Sequence, residues 1–177
     1  MPRLSGIQQF ALFEVCAQAQ QTYAFFFWIE DGQNVPMHGH SMDESDARLA
    51  VLHNACLEST LLSLRRLDDF FSPSGVKRAD DLHVSSFGIE SGSSSLGDER
   101  RVQINKCLVH LTDRQFSQGV AAFGIWQLAL QFTDLLLVFF SEIQSKYDLD
   151  EAQSHIVQTA SRRLRHWRSL LEQRFAQ

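Results

Sequence analysis

Apolar residues along this chain recur at steps of three and four rather than two, the spacing of helix faces and not of half-buried strands. Leu12, Cys16, Ala19, Tyr23 and Phe26 form one such row. Ser5 and Gln8 ahead of it have the spacing of a capping box, which satisfies backbone N–H groups at a helix start. A first helix is therefore predicted from Ser5 to the Asp31-Gly32 break. A second starts near Ser41, with Glu44 three residues on, and stops at Ser72-Pro73-Ser74-Gly75, because proline disfavours helical geometry in the residue before it. Its apolar positions fall on two sides. Leu49, Leu52, Cys56, Leu67 and Phe70 make one row, and Leu57, Leu61 and Leu64 another, as in a helix packed against two neighbours.

Three further helices follow from the same reasoning. One runs from near Gly97 to Thr112 around Ile104, Leu108 and Leu111. The next spans about Val120 to Ile143. The last opens at Asp148-Leu149-Asp150-Glu151 and carries the row Ile156, Ala160, Leu164, Trp167 and Leu171. Residues 72–97, with the tract Ser91-Gly92-Ser93-Ser94-Ser95, are predicted to form a flexible loop. The pattern predicts an all-α protein, an up-and-down helical bundle of about five helices in a single domain over residues 1–177.

Composition agrees with a buried core: 44% hydrophobic and 21% charged residues in 177 suit one globular domain. The N-terminus lacks a signal-peptide layout. Val120–Phe140 is long enough to span a bilayer but carries Gln127, Gln131 and Asp134, so a buried bundle helix is expected rather than a membrane span. Cys16, Cys56 and Cys107 are widely spaced and odd in number, which argues against a disulfide scaffold and for a reducing, cytoplasmic setting.

Candidate chemistry is sparse. Phosphate-binding glycine loops, hydrolase elbows and zinc-protease motifs are absent. His38 and His40 flank Gly39 without further ligands in sequence, so no metal is expected, and no cofactor is implied. A net charge of −5 restricts any RNA contact to a local patch. One such patch is the last helix, where Arg162, Arg165 and His166 lie opposite the apolar row, with Arg163, Arg168 and Arg174 nearby. Arginine forks match phosphate geometry. A solvated face, or cations complementing the helix C-terminus, explains the same residues and fits the acidic whole better.

The segment Ile104-Asn105-Lys106-Cys107-Leu108-Val109-His110-Leu111-Thr112 is the most informative. Lys106 and His110 are neighbours on a helix surface, beside the Ile104 row rather than on it. Such a histidine exchanges a proton near neutral pH while Lys106 stabilises an anion, properties that suit phosphodiester chemistry without a metal. This segment, following a helix that ends "LLSLRRLDDFF", resembles HEPN-type helical domains, in particular their abortive-infection group, over roughly residues 44–143. The resemblance implies a short helical bundle that forms a homodimer and binds RNA or nucleotide. It also implies kinship to defence or toxin-type ribonucleases whose motif pairs an arginine and a polar residue with a histidine. Here Asn105 and His110 match, Ile104 stands where the arginine would be, and Arg101 or Lys106 supplies the cation. Two alternatives stand beside it. One is a non-catalytic dimeric interaction protein. The other is a small-molecule pocket lined by Phe25, Phe26, Phe27 and Trp28.

Overall fold

A computed structural model of the chain describes residues 1–23, 44–72, 82–90, 97, 102, 104 and 125–175. Among these residues the protein is all-α, with four long helices and no strand. They are α1 (Gly6–Gln21), α2 (Glu44–Phe71), α3 (Ile125–Lys146) and α4 (Glu151–Phe175), with a short 3-10 turn at Val84–Phe87. Four helices stand where about five were expected. Of the expected 97–112 helix only Gly97, Val102 and Ile104 are described; Val102 and Ile104 are helical, whereas Gly97 has a positive φ of 70°.

α1 begins as its sequence requires. The Ser5 backbone N–H donates to Gln8 Oε1 at 2.8 Å, and the Gln8 N–H donates to Ser5 Oγ at 3.4 Å, closing the capping box. The helix ends well before Asp31. At its end the Thr22 hydroxyl and backbone N–H both donate to the Gln18 carbonyl. Asp31-Gly32 and Phe26 lie outside the described residues. In α2 the central buried row is Leu57, Leu61, Leu64, Leu67 and Phe71, whereas Cys56 is half-buried. Both predicted rows reach the core: Leu57, Leu61 and Leu64 of one are buried, and so are Leu67 and Phe70 of the other.

The helices close a ring in which α1 packs on α2 and α4, and α3 packs on α4 and α2. Hydrogen bonds set their directions. At one end, Gln8 Nε2 donates to the Ser86 carbonyl and to the Tyr147 hydroxyl, whose own proton goes to the Phe87 carbonyl. At the other, Tyr23 meets Thr133 and Trp167, and the hydroxyls of Ser59 and Thr60 bond Gln21. So α1 and α4 run one way, α2 and α3 the other. Thus α2 finishes at the Phe87 end, and α3 starts at the Tyr23 end and runs parallel to it. Ile104 is 1% exposed and belongs to the core cluster.

The expectation of a flexible loop over 72–97 fails at its centre. Val84, Phe87 and Ile89 are buried, and the Phe87 ring packs edge-on against Phe70, Phe139 and Tyr147. The average polarity of the stretch conceals three apolar anchors that close one end of the bundle. His83, also buried, caps the turn. Its Nδ1 accepts from the Ser85 N–H at 3.1 Å, which makes Nε2 the protonated nitrogen, and Nε2 donates to the Ser72 carbonyl at 3.0 Å.

By length and composition Gln127–Lys146 is apolar enough to cross a membrane. In the bundle its Leu128, Phe132, Leu136, Phe139, Phe140 and Ile143 fill the core, while Gln127, Gln131 and Asp134 lie on the exposed side.

Candidate nucleic-acid interface

α4 is fixed at its start by a second capping box: the Asp150 N–H donates to Gln153 Oε1 and the Gln153 N–H donates to Asp150 Oδ1. From there Gln153, Val157, Ala160, Ser161, Leu164 and Trp167 are buried. Val157, not Ile156, lies on the central line; Ile156 is half-buried at its edge, and the Leu171 side chain lies outside the described residues. This register turns Arg162, Arg165 and His166 to solvent.

The arginines of α4 divide into two groups. Arg163 donates to Gln20 Oε1 at 2.9 Å, tying α4 to the end of α1. Arg168 donates to Asp134 on α3 and to Glu172 Oε1 at 2.8 Å. Its hydrogen bond to Glu172, then the Asp134 charge, hold its guanidinium still more firmly protonated. Arg162, Arg165 and His166 make no hydrogen bond or ion pair with another described residue. Among the described residues Arg162 and Arg165 are thus exposed guanidiniums without such a partner, and the exposed His166 imidazole stands beside them. At spacings of three and four they neighbour one another on the surface, about 5–6 Å apart at Cβ.

His155 extends this row. It is exposed and lies seven residues before Arg162, two turns earlier on nearly the same line. Sequence reasoning passed over it, although that spacing was visible. Glu151 and Glu172 bound the row at its two ends, and Glu172 is already paired with Arg168.

The candidate catalytic residues Arg101, Asn105, Lys106 and His110 lie outside the described residues, as do His38, His40, Cys107 and the aromatic run Phe25–Trp28. The nearest described neighbours are Val102, half-exposed, and Ile104, in the core. Among the described residues no group of three or more His, Cys, Asp or Glu side chains is placed to hold a metal ion. Near the end of α2, Arg65 pairs with Asp69 and reaches Asp68 at 3.7 Å. A cleft of about 250 Å³ between α1 and α2, floored by Val15, Leu67 and Phe70, brings together no reactive set.

Fold and surface together define an α-helical bundle with one helix presenting a row of exposed arginine and histidine side chains that bond no other described residue. Compared with known proteins, the chain matches no family model, no curated protein and no solved structure.

Proposed function

We propose that this protein is a HEPN-like RNA- or nucleotide-binding bundle of the cytoplasm, related to metal-independent defence or toxin ribonucleases, in which Arg162, Arg165 and His166 contact phosphate. The supporting observation is the division of labour on α4: Arg163 and Arg168 are committed to neighbours, whereas the exposed Arg162, Arg165 and His166 bond no other described residue. Guanidinium forks bind phosphate oxygens in a bidentate way, and a solvent-facing imidazole adds a further donor. Because the whole chain is acidic, binding is local and salt-sensitive rather than steered from afar.

The test is anisotropy of a labelled single-stranded RNA across a salt series. Two arginine–phosphate contacts give a slope of log affinity against log salt of about −1.4. Replacing Arg162, Arg165 and His166 by alanine flattens that slope, and Arg163→Ala does not. Equal binding by wild type and triple variant rejects the interface.

In the catalytic form of this reading His110 moves the proton, Asn105 orients the phosphate, and Lys106 or Arg101 supplies the positive charge. Cleavage then survives a chelator and disappears in His110→Ala with folding intact. RNA left whole by the wild-type protein rejects catalysis while leaving binding open to its own test.

A second reading, a non-catalytic protein whose bundle self-associates, is favoured by a different observation. Ile7, Phe10 and Phe13 of α1 are 61%, 60% and 39% exposed.

A further inference from the structure

Four of the five glutamines of α1 engage their side-chain amides with neighbours. Gln8 donates to the Ser86 carbonyl and Gln9 to the Leu4 carbonyl, while Gln20 accepts from Arg163 and Gln21 from the Ser59 hydroxyl. The fifth, Gln18, bonds no other described residue through its side chain, and it lines the cleft between α1 and α2. Glu14, one turn before it, lines the same cleft and pairs with no other described residue. On the α2 side the arginines divide in the same way. Arg65 pairs with Asp69, whereas the exposed Arg66 lines the cleft and pairs with no other described residue. Three polar side chains thus converge on one opening, whose floor is the buried Val15, Leu67 and Phe70.

We infer that this cleft binds a free α-amino acid with an apolar side chain. An apolar floor with a few convergent polar groups is the usual form of a small-molecule site. Here the two charges have opposite signs and stand on opposite rims, Glu14 on α1 and Arg66 on α2, without closing on each other as an ion pair. A zwitterionic head group answers both. The Arg66 fork binds a carboxylate through two parallel N–H···O bonds, and the Glu14 carboxylate accepts from an ammonium. The Gln18 amide, which both donates and accepts, serves either group. The apolar side chain then covers Val15, Leu67 and Phe70. At about 250 Å³ the cleft is smaller than the roughly 300–1,000 Å³ of pockets for drug-sized ligands, and so suits a single amino acid. This site is independent of the RNA reading, which rests on α4.

Isothermal titration calorimetry of the full chain with L-leucine tests it. Isoamylamine, isocaproate and glycine serve as comparisons, lacking in turn the carboxylate, the ammonium and the side chain of leucine. L-leucine is expected to bind, and each of the other three to bind severalfold more weakly. The losses are partial because both charges stand at a rim open to water. Arg66→Gln weakens L-leucine severalfold and leaves isoamylamine unchanged. Glu14→Gln weakens L-leucine severalfold and leaves isocaproate unchanged. Both positions are exposed, so the variants are expected to fold, which circular dichroism verifies. L-leucine that gives no binding heat at any temperature tried, or that binds no better than the three comparisons, overturns the inference. Binding that both variants leave unchanged lies elsewhere on the protein and overturns it equally.

Discussion

The Tyr23 hydroxyl, one residue past the cap of α1, donates to the hydroxyl of Thr133 in the middle of α3. Thr133 in turn donates to the Ala129 carbonyl at 2.7 Å within its own helix. Both residues are fully buried, and the Tyr23 ring leans on Trp167 of α4 with centroids 4.6 Å apart. One side chain thus joins three helices at a single end of the bundle. Its aromatic body supplies apolar contact, and its polar tip is satisfied by a group that already has a partner of its own.

Burial pushes the Tyr23 phenol up to about 12 from its usual 10, and this dictates a pH dependence. The folded pKa is the higher one, so the contribution to stability is complete below pH 10 and is lost as pH rises toward 12. Tyr23→Phe is expected to cost about 1 kcal/mol at neutral pH, the net worth of one buried hydrogen bond. Between pH 10 and 12 the wild type should lose about 2 kcal/mol that Tyr23→Phe does not. Urea melts of both proteins at stepped pH give the comparison. Parallel decline of the two curves would show that the phenol does not titrate against folding.

The thiols give an independent check of the same packing. Burial raises Cys16 to about 12, and raises the half-buried Cys56 as well. The thiolate is the reactive species, so both react slowly in the native state, and the more accessible Cys56 reacts first. In a Cys107→Ser background, an aromatic disulfide reagent should modify Cys56 under native conditions and reach Cys16 only on unfolding. Cys16 reacting as fast as Cys56 would mean that α1 does not seat against the core as described.

Much of this bundle was legible in the sequence because helix starts and buried rows obey local rules. Ser5 with Gln8 marked the start of α1, and Leu57, Leu61 and Leu64 marked the α2 row that proves central. Other features depend on distant partners and leave no local trace. α1 ends at Gln21, and the apolar row of the sequence continues past that point. Phe87 sits in a polar-looking stretch and is recognisable as an anchor only once Phe70 and Phe139, far away in sequence, are beside it. For the candidate interface, the periodicity placed Arg162, Arg165 and His166 opposite the buried row, and solvent exposure agrees. What it could not separate were the committed and uncommitted arginines, since the partners of Arg163 and Arg168 lie on other helices.

The bridge from Arg168 to Asp134 offers a contrast with the buried contacts. It joins α4 to α3, but the two side chains are 40% and 54% exposed. Water and salt screen such a pair, and ordering two side chains offsets part of the attraction. Asp134→Asn should therefore cost less than about 1 kcal/mol, and less still at high salt. Denaturant midpoints at low and high ionic strength decide it. A larger loss, insensitive to salt, would make this bridge a principal α3–α4 fastener.

The 3-10 turn between α2 and α3 carries the sharpest test of the fold, because a flexible loop and a packed plug differ in what substitution does. Phe87 is 1% exposed among Phe70, Phe139 and Tyr147, so Phe87→Ala should destabilise by about 3–5 kcal/mol, the cost of removing a buried aromatic ring and leaving a cavity. Gly88 closes the turn at φ 63°, the left-handed region where a Cβ is strained, although a Cβ there would meet no atom within 4 Å. Gly88→Ala should then cost only about 1 kcal/mol, all of it from the backbone. His83→Ala removes the cap on the Ser85 N–H and the bond to the Ser72 carbonyl together, and belongs between these values. Thermal or urea denaturation of the three variants ranks them. If all three lay within about 0.5 kcal/mol of the wild type, as substitutions in a solvated loop do, the end of the bundle would not be closed by this segment.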